Sequence, residues 1–280
     1  MPAHQPHRLS TFEGMTRQEF HQRCIPYFSA DEIQAFWLWF QHLASSEQVE
    51  DCMQRLLAGE PIQYIFGTAP FHRYEYRVGP GCLIPRPETE ELVEYILQHP
   101  QIQALQHWLD IGTGSGCIAL TLVQERPWQL LAVDCSEAAL THARNNRARL
   151  NTEQQKRLEL RCSDFLKWTE WPSGVQALVS NPPYIASDET LDSRVVDWEP
   201  STALFAENDP LIFYKKMAQL CLNRPHELWL FLEINQQLPE ATEAVFKTIG
   251  CSTKKIADLS GNLRFIEAYW PGFQQLIPLK

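Results

Sequence analysis

Trp108-Leu109-Asp110-Ile111-Gly112-Thr113-Gly114-Ser115-Gly116 is the stretch that decides the fold of this chain. A short apolar run that ends in an acid and gives way to alternate glycines reads as a strand breaking into a tight loop. The apolar stretch around 115–125 then reads as a helix. Glycine permits the turn and lets a ligand approach the main chain without meeting a Cβ. Asp134 closes the next apolar run, about twenty residues on, where such a loop places a carboxylate for ribose hydroxyls. A dinucleotide fingerprint, however, needs its last glycine where this chain has Cys117, and Asp110 is a poor neighbour for a pyrophosphate. A cationic ligand without phosphates suits the loop better.

Outward from this loop, apolar strands are expected at 107–111, 130–134, 158–162, 176–180, 228–234, 252–257 and 264–270. Helices are expected around 115–125, 136–150, 209–222 and 236–249. The alternation implies a parallel, doubly wound α/β sheet. Only the turn near Ser260-Gly261-Asn262 joins the last two strands, too short for a parallel crossover, so the final strand should run antiparallel. S-adenosylmethionine meets the demands of the loop, with an adenosine for Asp134, no phosphates, and positive charge at its sulfonium and amino group. Ser163-Asp164-Phe165 follows the third strand; Asp164 would meet the adenine amino group and Phe165 its ring, unless the segment is a surface loop with one buried aromatic.

After the fourth strand comes Asn181-Pro182-Pro183-Tyr184. A planar NH2 group is a weak nucleophile because its lone pair is delocalised. The Asn181 side-chain carbonyl and the Pro182 main-chain carbonyl can each accept one of its hydrogens and turn the lone pair toward an electrophile. Pro182 and Pro183 restrict the backbone and carry no competing N–H, while Tyr184 offers a flat face. The bland alternative is a strand ending in a proline turn. All four loops would lie at the carboxyl edge of one sheet, where ligands bind in this architecture.

Residues 12–59 read as a helical bundle, with capping boxes at Thr16 to Glu19 and Ser29 to Glu32 and a stop at Gly59. Tyr74, Tyr76 and Val78 alternate with charged residues, and Gly79-Pro80-Gly81 should turn the chain into Cys82-Leu83-Ile84 as a β-hairpin. Pro87 is placed to open the next helix. The expected domains are 1–70, helical, either to grip a partner or simply to pack on the rest; 71–86, a linking hairpin; and 87–280, the α/β domain.

A chain of 280 residues with 44% hydrophobic and 21% charged side chains is an ordinary globular protein. Its net charge of -10 disfavours tight, sequence-independent nucleic-acid binding. Arg144, Arg147, Arg149, Lys156, Arg157 and Arg161 form a local basic stretch, read as a solvated helix face with RNA contact as the alternative. No signal peptide or membrane span is apparent, and eight scattered cysteines without a CxxC pair fit reduced thiols, so a cytoplasmic protein is expected; a monomer is expected as well, though nothing in the sequence decides it. No metal is expected; His4 and His7 lie in a polar terminus with Pro2 and Pro6.

From about residue 55 onward the chain resembles the HemK/PrmC family of peptide-chain release factor glutamine methyltransferases. The stretches that carry the resemblance are Gly59-Glu60-Pro61-Ile62-Gln63-Tyr64-Ile65, Leu83-Ile84-Pro85-Arg86-Pro87-Glu88-Thr89-Glu90, the glycine loop, Ala132-Val133-Asp134, Ser180 to Ile185 and Trp198-Glu199-Pro200. The resemblance implies a seven-stranded, Rossmann-like S-adenosylmethionine-dependent methyltransferase domain behind an N-terminal helical bundle and hairpin. It implies methyl transfer to the side-chain amide nitrogen of the glutamine in a release factor's Gly-Gly-Gln. It also implies cofactor contacts at Gly112, Thr113, Gly114, Ser115, Gly116, Asp134, Phe165 and Asn181, and catalytic or substrate contacts at Asn181, Pro182, Pro183 and Tyr184. Arg86 and Glu88 would shape the pocket entrance or form a structural ion pair. Asn235 and Leu263 depart from the family pattern. The competing readings are an N6-adenine or ribosomal RNA exocyclic-amine methyltransferase, and a non-catalytic adaptor for a translation factor.

Overall fold

A computed structural model describes residues 11–273, apart from 13, 14, 44, 187, 188 and 207. The chain divides into two compact units, Met1–Gly67 and Thr68–Lys280. In the first, two short strands, β1 (Thr11–Phe12) and β2 (Met15–Thr16), pair antiparallel ahead of four helices. These are α1 (Arg17–Cys24), α2 (Ala30–Phe40), α3 (Ser46–Leu57) and α4 (Ile62–Phe66). Helix was expected from residue 12; it begins only after Thr16, whose side chain closes the capping box with Glu19. Ser29 and Glu32 close the second box. Phe20, Trp37, Phe40, Met53 and Leu56 are the buried heart of this bundle.

The second unit opens with a hairpin of β3 (Thr68–Phe71) and β4 (Tyr74–Arg77). The turn is His72-Arg73, not Gly79-Pro80-Gly81, so the hairpin lies earlier than expected. His72 takes the left-handed φ of 57°, a conformation costing a non-glycine residue about 1 kcal/mol, and its ring meets Glu94 at 2.9 Å. Cys82-Leu83-Ile84 joins no strand among the described residues. Its apolar character reflects burial of Cys82 and Ile84, and the Ile84 N–H is satisfied by the Glu199 side chain. Gly79 and Gly81 serve close packing instead, since a Cβ on either would come within 2.9 Å of His142 or Ala138.

The remaining elements are α5 (Pro87–Gln98), β5 (His107–Ile111), α6 (Cys117–Glu125), β6 (Gln129–Asp134), α7 (Glu137–Arg147), α8 (Thr152–Lys156) and β7 (Leu158–Cys162). They continue with β8 (Ala177–Ser180), α9 (Ser193–Val196), α10 (Ser201–Leu204), α11 (Ile212–Leu222), β9 (Leu228–Glu233), α12 (Pro239–Thr248), β10 (Ser252–Ala257) and β11 (Leu263–Trp270). The sheet has seven strands in the order β10-β11-β9-β8-β5-β6-β7. Strands β5 to β9 are mutually parallel, and β11 runs antiparallel between β9 and β10, as its short connection requires.

Alternate side chains of each strand feed opposite cores. Trp108 stacks on Trp128 at 4.4 Å on one face, while Leu109 and Ile111 pack beneath α11 residues Tyr214 and Met217 on the other. The order reverses between β5 and β8, opening a crevice at their carboxyl ends, the position at which doubly wound sheets bind ligands.

Candidate functional site

The crevice holds a cavity of about 260 Å³. Gly112, Gly114, Asp134, Phe165, Asn181 and Pro183 are on its wall, so the ends of four strands that are distant in sequence contribute to one space. Leu83, Phe205 and Phe213 are among its apolar lining.

The glycine loop is folded back on β6: Gly112 and Thr113 both donate their N–H to the Val133 carbonyl, at 2.9 and 3.0 Å. The Gly114 N–H meets Asp134 Oδ2 at 2.9 Å, and the Ser136 N–H meets Oδ1 at 2.9 Å. Two main-chain donors thus hold the Asp134 carboxylate, which retains further lone pairs for a ligand. Burial pushes its pKa up, opposed by those same N–H groups. A Cβ on Gly114 would meet nothing within 4 Å, whereas one on Gly116 would lie 2.8 Å from Leu120 and 3.3 Å from Ala143. Gly114 therefore borders open space, and Gly116 is a packing glycine at the start of α6.

Three residues expected on the cofactor side stand behind the wall. Thr113 and Ser115 are buried, and Gly116 packs against α6 and α7. Thr113 instead donates its hydroxyl to Asp110 Oδ2 at 2.6 Å. Asp110 is wholly buried, and its Oδ1 has no hydrogen-bond partner among the described residues. Burial raises its pKa to about 7 against the ordinary 3.8, with the Thr113 hydroxyl pulling the other way.

Beyond β7, Asp164 caps a short turn of 3-10 helix, Phe165–Lys167, by accepting from the Leu166 N–H at 3.1 Å. This presents the Phe165 ring to the cavity, backed by Trp168 and Trp171 at centroid distances of 5.4 and 5.8 Å. Asp164 also lines the cavity and pairs with Lys167 at 3.1 Å.

At the end of β8, a Cβ on Gly112 would come within 3.8 Å of the Asn181 main-chain oxygen, so the glycine loop and the Asn-Pro-Pro-Tyr segment adjoin. The Asn181 side-chain nitrogen donates to Thr89 Oγ1 at 3.0 Å. The Thr89 hydroxyl donates to Glu233 Oε2 at 2.6 Å, and the Tyr184 hydroxyl to Glu233 Oε1 at 3.0 Å. Among the described residues no donor reaches Asn181 Oδ1 or the Pro182 carbonyl. Neither Pro182 nor Tyr184 is on the cavity wall, and the phenol expected to offer a flat face is instead anchored by its hydroxyl. Burial pushes Glu233 up, opposed by its hydrogen bonds to Thr89 and Tyr184.

Arg86 pairs with Glu199 at 2.6 Å and not with Glu88, while the other Glu199 oxygen accepts from the Ile84 N–H at 2.9 Å. The Pro85–Glu90 and Trp198–Pro200 stretches are thereby joined. The six cations of the basic stretch are all engaged within the chain: Arg144, Lys156 and Arg161 with Glu137, Glu153 and Glu159, and Arg147, Arg149 and Arg157 with main-chain carbonyls. Among the described residues no cluster of His, Cys, Asp and Glu could hold a metal; His4 and His7 lie outside them. No described helix is long and apolar enough to cross a membrane.

Sequence reasoning assigned no role to Thr89, Glu233 or Glu199. The available signal was an acid closing the otherwise apolar run Leu228-Trp229-Leu230-Phe231-Leu232.

Residues 89–197 match the family model described as Methyltransferase small domain. The release factor glutamine methyltransferase of Lactococcus lactis subsp. lactis (strain IL1403) is 45% identical over 199 residues, 69% of this chain and 71% of that protein. The enzyme of that name from Bacteroides thetaiotaomicron is 43% identical over 68% of each chain. Among solved structures, the hMettl16 catalytic domain in complex with MAT2A 3'UTR hairpin 1 superposes with a TM-score of 0.52 at 17% identity, over 81% of this chain and 79% of that one. That likeness is one of fold alone.

Proposed function

This chain belongs to the release factor glutamine methyltransferase family, and from that premise we propose that it methylates the side-chain amide nitrogen of the glutamine in a release factor's Gly-Gly-Gln, with S-adenosylmethionine as methyl donor. The observation that carries the assignment of residues is the adjacency of Gly112 and Asn181 at the β5/β8 reversal, which brings the glycine-loop side of the cavity and an amide acceptor to one point.

The residues present fit S-adenosylmethionine. Gly114 leaves room beside the main chain, Asp134 keeps free lone pairs for hydroxyl groups, and Phe165 supplies an aromatic wall. When bound, S-adenosylmethionine supplies an electrophilic methyl group. The chain's contribution is positioning: Asn181 Oδ1 and the Pro182 carbonyl accept the two hydrogens of the glutamine amide and so direct its lone pair. Neither oxygen has to take a proton; both act as acceptors only, and the proton shed by the acidified, methylated amide nitrogen goes to water. Pro182 and Pro183 keep the two acceptors in a fixed relation.

The helical unit Met1–Gly67 is assigned to recognising the release factor, and the enzyme to the cytoplasm as a monomer. None of the eight cysteines forms a disulfide, in keeping with a reducing compartment. Incubating the enzyme with tritiated S-adenosylmethionine, release factor and ribosomal RNA tests the substrate class. Label in the release factor supports the reading; label only in RNA favours the exocyclic-amine alternative, and binding without label the adaptor.

A further inference from the structure

We propose that Thr89 and Glu233 are positioning residues that fix which way the Asn181 side-chain amide faces, and hence which of its atoms the substrate meets. The inference rests on the reading of Asn181 as an amide acceptor.

An amide side chain has an oxygen that accepts and a nitrogen that donates, and the two ends have nearly the same shape. For Asn181 only one orientation is useful, because a turned-over amide would present N–H groups to the N–H groups of the substrate. The chain fixes the orientation by counting hydrogens. An ionised carboxylate can only accept; both oxygens of Glu233 are occupied, Oε2 by the Thr89 hydroxyl at 2.6 Å and Oε1 by the Tyr184 hydroxyl at 3.0 Å, and these two hydrogen bonds favour the ionised form against the burial that raises its pKa. Thr89 has one hydroxyl hydrogen, and it is spent on Glu233. Toward Asn181, therefore, Thr89 has only lone pairs, and the amide nitrogen must occupy the position 3.0 Å away. The reversed amide would set two oxygens at hydrogen-bond distance with no hydrogen between them.

The relay is held on three sides. Thr89 sits in the first turn of α5, behind Pro87; Glu233 ends β9, with its main-chain carbonyl accepting from the Tyr214 hydroxyl at 2.8 Å; Tyr184 lies beyond Asn181 in the same segment. Thr89 and Glu233 are 3% and 2% exposed, so water has little access to make good a mismatched hydrogen bond.

The test uses the full chain, S-adenosylmethionine and an intact release factor. Thr89→Val removes the hydroxyl at nearly constant shape; kcat should fall about a hundredfold, while the Kd of S-adenosylhomocysteine changes less than about threefold. Thr89→Ser, which keeps the hydroxyl, should restore most of kcat. Glu233→Ala removes the acceptor on which the Thr89 hydrogen is spent, which frees that hydrogen for Asn181; its kcat should fall as for Thr89→Val. Wild-type kcat in Thr89→Val, or a loss in every variant that merely follows its fraction unfolded, overturns the proposal.

A second readout is independent of turnover. In the wild type the Asn181 side-chain NH2 should exchange slowly with solvent by NMR, and in Thr89→Val rapidly; identical exchange in both sinks the inference. If the wild type leaves the release factor unmethylated while this exchange difference is present, the functional reading fails and the positioning role stands.

Discussion

The two halves of the sheet's carboxyl edge are built in opposite ways. On the β5–β6 side the site is made of main chain: glycine N–H groups, a loop folded onto the Val133 carbonyl, and one carboxylate pinned by backbone donors twenty residues or fewer away. On the β8–β9 side it is made of side chains recruited from far apart, with Asn181 meeting Thr89 across 92 positions and Thr89 meeting Glu233 across 144. A main-chain site is sensitive to added bulk, because its donors survive most substitutions but its space does not. A side-chain site is sensitive to single atoms, because each hydrogen has one assigned acceptor.

Substitutions that separate these sensitivities differ widely in expected size. Asn181→Ala should reduce kcat about a thousandfold, with the calorimetric affinity for S-adenosylhomocysteine falling less than about tenfold; comparable losses in both would erase the distinction between the halves. Asp134→Ala should weaken that affinity by about tenfold to a hundredfold, and saturating cofactor should recover most of kcat.

The paired glycines sharpen the contrast. Gly116→Ala should cost about 1–3 kcal/mol of stability in denaturant melts, since its Cβ would collide with Leu120 at 2.8 Å. Gly114→Ala, which faces open space at φ 57°, should be milder in stability and instead lower cofactor affinity.

Smallest is a pH effect at Asp110. Its folded pKa of about 7 exceeds the ordinary 3.8, so between these values the folded state binds more protons than the unfolded one. Stability from this group is full below the lower value and is lost as pH rises through the upper. Asn cannot titrate, so the Tm of Asp110→Asn relative to wild type should climb across that window and level off above it. A flat difference would mean that the buried carboxylate stays charged.

The same contrast explains what was legible in the sequence. The glycine loop, Asp134 and Asn181-Pro182-Pro183-Tyr184 are contiguous or nearly so, and local periodicity placed all seven strands of the main sheet and the antiparallel last strand. The relay was not legible, because Thr89, Asn181 and Glu233 meet only through the sheet order, and a threonine in a first helical turn looks like any other. The hairpin was misplaced for a related reason: Cys82 and Ile84 alternate as a strand would, yet burial beside the site, not pairing, accounts for them. Thr113, Ser115 and Gly116 belong to the glycine motif by pattern, but the turn directs them into the protein interior. Pattern marks the loop; only the fold says which of its residues line the cavity.

The most direct measurement is mass spectrometry of the release factor's Gly-Gly-Gln peptide after incubation with this enzyme and S-adenosylmethionine. The account predicts one added methyl group, localised by fragmentation to the glutamine side chain and absent with Asn181→Ala. An unmodified glutamine, or a methyl group on any other residue, would contradict it.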